Sequence, residues 1–217
     1  LKRSARRISR LYDHLLDEND EVYKVRRIMN RKKKKRKWKP KTSTFKYGVQ
    51  VPTSVGMARK LDIDNGNTAW EDALKSEMKD LFNLECFDIK SIGYAPGDDY
   101  QKTTLTIIYD VKQDLRRKAR LVAGGHLVDP LDHSVYSSTV KGISVKLLHV
   151  IAHKADLSQL CGDVSLAFVN AFTNELVYSI AGPEFGEHEG KTVIICKALY
   201  GLCTSAERWH SHFADTL

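Results

Sequence analysis

Between residues 68 and 82 apolar positions recur every three or four residues. Trp70, Ala73, Leu74, Met78, Leu81 and Phe82 form one stripe at helical spacing, and Thr68 with Glu71 three positions on reads as a capping box at its start. SIGYAPGDDY then makes a turn, after which the period changes. In TLTIIYDVK, Leu105, Ile107, Tyr109 and Val111 alternate with their neighbours, which predicts a half-buried strand; RKARLVAGG supplies a second strand and closes a hairpin. Residues 143–155 predict a helix buried on one side. LSQLCGDV, 157–164, predicts a short strand ending at Asp163, followed by a turn of helix over 165–170. A strand near LVYSIA, a Gly-rich turn over 182–190, a strand TVIICKA and a final helix carrying Ala206, Trp209 and Phe213 complete the series. Helices and strands mix without regular alternation, so the expected fold class is α+β rather than a doubly wound sheet.

The first part of the chain reads differently. Ile8, Leu11 and Leu15, then Val22, Val25 and Met29, recur at helical spacing and predict one or two amphipathic helices. A connector rich in Pro, Ser, Thr and Gly follows. The expected organisation is a basic, partly helical extension over 1–47, a connector over 48–67 and a folded part over 68–217.

Charge sharpens that division. Residues 1–47 hold 18 Lys or Arg against 5 Asp or Glu, a net +13, whereas 48–217 hold 17 against 22, a net −5. The basicity belongs to the extension. It peaks at Arg31, Lys32, Lys33, Lys34, Lys35, Arg36 and Lys37, a run that reads equally as a nucleic-acid contact, a nuclear-localisation signal or a solvated linker.

With 42% hydrophobic residues among 217, the chain can bury one sizeable core and carry an appendage. No apolar run approaches the roughly 18 residues of a membrane span, and the basic N-terminus lacks the apolar core of a signal peptide. The expectation is a soluble intracellular protein with no membrane partner, nucleus and cytoplasm not being distinguished. Cys86, Cys161, Cys196 and Cys203 form no Cys-x-x-Cys pair and lie in or beside apolar stretches, which predicts buried free thiols. His149 and His153 stand four apart on a predicted helix, but no Glu follows the first as in a zinc-protease helix, so they read as ordinary helix residues.

Four segments in order, RKARLVAGGH (117–126), GDVSLAFVNA (162–171), VYSIAGPEFG (177–186) and KALYGL (197–202), carry a resemblance. Together they resemble the reverse transcriptase domain of copia-type LTR retrotransposons, an RNA-directed DNA polymerase; KYGVQVPTSV and NGNTAWEDALKSEM look like the segment leading into it. The resemblance covers roughly residues 46–217 and implies partial fingers and palm, with the basic hairpin in the fingers. It implies Asp163 as a catalytic carboxylate and ligand for Mg2+ or Mn2+, in a reaction where two divalent ions bridge attacking oxygen, phosphate and leaving group. It also implies nucleotide contacts at Lys118, Arg120, Val164, Ala167, Phe168 and Thr204. Lys118 and Arg120 would meet the triphosphate, or form a solvated basic face. Phe168 would lie beneath the sugar and exclude a 2′-hydroxyl, or fill the core beside Ala167. The implied partners are an RNA or DNA template-primer, a deoxynucleoside triphosphate and the rest of a retrotransposon polyprotein.

The sequence departs from the family in three places. Cys203 and Thr204 stand where many members have Lys-Gln or Lys-Ser, and Ser165 replaces a customary Gly. The Tyr-x-Asp-Asp hairpin belongs downstream of LYGL and its helix, and Leu217 comes before it. Gly97, Asp98 and Asp99 are no substitute, since they precede Asp163 and the family order is reversed. The expectation is therefore an N-terminal part of a polymerase that supplies one carboxylate, holds metal poorly and does not polymerise alone. A non-catalytic nucleic-acid-binding module and a decayed transposon remnant are the competing readings.

Overall fold

The computed structural model describes residues 44–129 and 135–216. The basic run Arg31–Lys37 and the predicted N-terminal helices lie outside these. Residues 42–217 form one compact unit. Regular structure spans the expected boundary: strand β1 (Thr44–Lys46), at the end of the expected extension, pairs as a hairpin with β2 (Val49–Val51), and helix α1 (Val55–Asp64) lies within the expected connector. Ser54 caps α1 by accepting the N–H of Met57 (3.2 Å), and Val55, Ala58 and Leu61 enter the core.

Helix α2 (Ala69–Asn83) follows the predicted stripe, burying Trp70, Leu74, Met78 and Leu81, but its start is held differently. Thr68 makes no side-chain cap; its hydroxyl donates instead to Asp72 Oδ2 (2.8 Å). The buried carboxylate of Asp62, from α1, accepts the N–H groups of Trp70 (3.1 Å) and Glu71 (2.8 Å). A charged acceptor on the first-turn amides satisfies them more strongly than a hydroxyl and is favoured by the helix dipole, which explains why the long-range cap replaces the local box.

Two sheets form around α2. Strands β3 (Phe87–Ile92), β4 (Gln101–Lys102), β7 (Val177–Ile180) and β8 (Lys191–Ile195) make a sheet of order β3-β8-β7-β4, antiparallel except for the β4/β7 pair. Strands β5 (Leu105–Val111) and β6 (Arg117–Ala123) pair antiparallel with Ile107 opposite Leu121 and Tyr109 opposite Ala119. Period-2 alternation puts Ile107, Tyr109, Val111, Ala119, Leu121 and Ala123 on one buried face, as expected. Trp70 meets Tyr109 edge-on, ring centroids 5.5 Å apart. Phe82, Phe87 and Phe185 make a second aromatic cluster that joins α2 to the four-stranded sheet. The fold is mixed helix and strand, compatible with the α+β class.

Three further helices complete the described chain: α3 (Gly142–Lys154), α4 (Ala167–Asn170) and α5 (Ser205–Thr216). Two expectations fail here. Helix α3 forms but buries only Ala152, while Ile143, Leu147, Leu148, Val150 and Ile151 are all more than half exposed. The strand predicted over 157–164 is not formed; the segment is irregular, with Leu157, Leu160 and Asp163 exposed. A helix satisfies its hydrogen bonds within itself, whereas a strand needs a neighbour, and no described element pairs with this segment. Cys161 lies in it and is exposed, against the expectation of burial; Cys86 is buried, and Cys196 and Cys203 are partly so. Among the described residues no helix is long and apolar enough to cross a membrane.

Candidate functional site

A cleft of about 700 Å³ lies between the outer side of β6, one face of α2 and the segment 163–167. Its walls carry five cations, Lys112, Arg116, Arg117, Lys118 and Arg120, and three carboxylates, Glu77, Asp80 and Asp163. Strand alternation sets Lys118 and Arg120 on the same face, opposite buried Ala119 and Leu121. Arg116 is paired with Asp114 (3.1 Å), Lys112 approaches Asp110 (4.0 Å), and Arg117 lies over the Trp70 ring (5.4 Å). Among the described residues Lys118 and Arg120 form no ion pair, and both act electrostatically on the Glu77 carboxyl in the same cleft.

The opposite wall is built by a turn. Leu166 adopts the left-handed region (φ 54°, ψ 34°), a conformation that costs a β-carbon residue about 1–2 kcal/mol, and it reverses the chain between Asp163 and α4. Asn170 Nδ2 donates to the carbonyls of Leu166 (3.2 Å) and Ser165 (3.3 Å) and holds that turn in place. Asp163, Val164 and Ala167 consequently face the cleft with Lys118 and Arg120. Five residues distant in sequence are thus brought to one cavity.

Phe168 and Thr204 are placed otherwise. Phe168 is half-buried and outside the cleft lining, its ring tilted against Tyr200 at 5.4 Å; Tyr200 is the residue that lines the cleft. Thr204 is fully buried and away from the cleft; its N–H donates to Glu175 Oε1 (2.7 Å) and its hydroxyl has no partner among the described residues. In this arrangement Thr204 is a packing residue of the α5 entry, with no surface for a ligand. Gly97, Asp98 and Asp99 lie in the loop between β3 and β4, outside the cleft.

Glu77 and Tyr200 are among the cleft residues that the sequence does not single out. Glu77 is 6% exposed and accepts the N–H of Leu121 through Oε1 (3.1 Å). Burial raises its pKa above the ordinary 4.5, opposed by the Leu121 N–H and by Lys118 and Arg120. The signal was available: Glu77 interrupts an otherwise apolar face formed by Leu74, Met78 and Leu81. Tyr200 gave less warning, being one aromatic in an apolar segment; burial raises its pKa too.

The donor set does not make a metal centre. Among the described residues no group of three or more His, Cys, Asp or Glu side chains could hold an ion. The ring of His149 contacts Gln159, not His153. A lone exposed carboxylate such as Asp163 holds Mg2+ poorly, because the ion gives up water reluctantly.

Residues 95–217 match the family described as reverse transcriptase (RNA-dependent DNA polymerase). The chain belongs to that family. No solved structure matches it. The reverse transcriptase match takes in β5, β6, the Asp163 segment and Tyr200, whereas α1 and α2, with Glu77, precede it. One wall of the cleft therefore comes from outside the matched region.

Proposed function

We propose that this reverse transcriptase family member is of the copia type, that residues 68–217 are its fingers and partial palm, and that the cleft receives the triphosphate of a deoxynucleotide. The observation that carries the reading is the meeting of Lys118 and Arg120 with Asp163, Val164 and Ala167 in one cavity. Cations on a fixed strand suit phosphate oxygens, since charge-assisted hydrogen bonds are stronger than neutral ones. Positioning and charge neutralisation are most of what phosphoryl transfer asks of a protein. Template and primer would follow the basic surface, with Arg31–Lys37 adding salt-sensitive contacts to phosphates.

The isolation of Asp163 supports a second reading, in which the chain binds nucleotide and nucleic acid without chemistry. The carboxylates among the described residues do not make a metal site. The test is photo-crosslinking of the full chain with a photoreactive deoxynucleoside triphosphate, followed by peptide mapping. Label on peptides spanning 112–120 and 163–167 is expected; label confined to other peptides overturns the assignment.

A further inference from the structure

We infer that Glu77 is a positioning residue for triphosphate recognition: its buried carboxylate ties the outer edge of β6 at Leu121 and so fixes the height and direction of Lys118 and Arg120 over the cleft. The inference rests on the triphosphate reading above. Among the described strands, β6 has β5 along one edge and no strand along the other. On its other edge the Leu121 N–H goes to Glu77 Oε1 (3.1 Å), and two residues on, the Ala123 N–H goes to the Tyr200 carbonyl (2.7 Å). These two bonds stitch the free edge to α2 and to the LYGL segment. The first acts directly on the cation face, because the planar peptide unit that donates it joins Arg120 to Leu121. Holding that plane holds the Cα of Arg120, and Lys118 lies two residues away on the same face.

The charge of Glu77 is not what a triphosphate site gains. A second anion beside a polyphosphate repels it, and Lys118 and Arg120 already act electrostatically on this carboxyl. What Glu77 uniquely provides is an acceptor for a strand-edge N–H that would otherwise be buried without a partner. Its location on a helix lets packing of Trp70, Leu74, Met78 and Leu81 set where that acceptor stands.

Two conservative variants of the full chain separate geometry from charge. Glu77→Gln keeps an acceptor at the same reach and loses the charge; Glu77→Asp keeps the charge and draws the acceptor back by one methylene. Equilibrium binding of dATP is expected to be unchanged or a few-fold tighter in Glu77→Gln and at least 5-fold weaker in Glu77→Asp. Amide exchange at Leu121 should remain slow in the former and quicken at least 10-fold in the latter. Equal affinities in all three proteins, weakening in Glu77→Gln equal to that in Glu77→Asp, or an unchanged Leu121 amide in Glu77→Asp would each overturn the inference. If the wild type fails to bind dATP, the triphosphate reading fails by itself and the positioning claim falls with it; the Leu121 amide then still reports whether Glu77 holds β6.

Discussion

A β-carbon placed on Gly125 would stand 2.0 Å from the carbonyl oxygen of Gly201. The converse holds as well: a β-carbon on Gly201 would stand 2.2 Å from the Ala123 carbonyl, and its φ of +92° is one that other residues rarely adopt. Two segments far apart in sequence, RKARLVAGGH and KALYGL, cross here backbone to backbone, with the Ala123 N–H donated to the Tyr200 carbonyl at 2.7 Å. The crossing locks the end of β6 against the residue that forms part of the cleft.

Gly125→Ala is therefore expected to destabilise strongly, by about 3 kcal/mol or more, since the obstacle is backbone and cannot swing aside. Urea unfolding measures it. A midpoint within error of the wild type would show that the crossing is looser than described.

Tyr109→Phe should act in the opposite direction. The hydroxyl is buried with no hydrogen-bond partner among the described residues, and burial pushes its pKa up to about 12. Removing an unsatisfied buried hydroxyl while keeping the ring against Trp70 is expected to stabilise by about 1 kcal/mol. A raised thermal midpoint supports this. A fall would mean that the hydroxyl has a partner.

Glu77 gives stability a pH dependence of known sign. Its folded pKa lies above 4.5, chiefly through burial, so the folded state holds the proton more tightly than the unfolded one. The associated stabilisation is present below pH 4.5 and is lost as pH rises through the folded value. Relative to Glu77→Gln, which cannot titrate, the wild type should lose stability over that rise. Urea midpoints of the two proteins from pH 4 to pH 8 measure the difference; a constant gap would contradict it.

The cysteines should separate by reactivity. Cys86 is buried and its pKa is pushed up to about 12, leaving almost no thiolate at neutral pH, whereas Cys161 is exposed. Limited alkylation with iodoacetamide, read by peptide mass, is expected to label Cys161 well before Cys86. Equal rates would indicate that the core around Cys86 opens on the labelling timescale.

What the sequence made legible follows from the range of the interactions. The β5/β6 hairpin, α2 and α5 could be read because their periodicity is local and strong; that Lys118, Arg120 and Asp163 line one cleft depends on the tertiary fold. The Asp62 cap could not be read, because its acceptor comes from the preceding helix and displaces the local Thr68–Glu71 pattern. β3 and β1–β2 passed unnoticed because short strands owe their existence to distant partners. The 157–164 segment is irregular for the same reason: an apolar run shows that a segment can be a strand, not that a neighbour is there to pair with it. Thr204 was placed in the nucleotide site by its position in a motif, and its burial behind Glu175 could be seen only in three dimensions.

The proposal that Lys118 and Arg120 make the cleft a triphosphate site is tested by the equilibrium binding of a deoxynucleoside triphosphate to the full chain and to Lys118→Ala/Arg120→Ala, beside circular dichroism to show that both are folded. Loss of two charge-assisted contacts worth about 1.5–3 kcal/mol each corresponds to at least roughly 100-fold weaker binding. Saturable wild-type binding that weakens on that scale in the double variant is the predicted result. Affinity left unchanged by the double substitution, or no saturable binding by the wild type, would contradict the assignment.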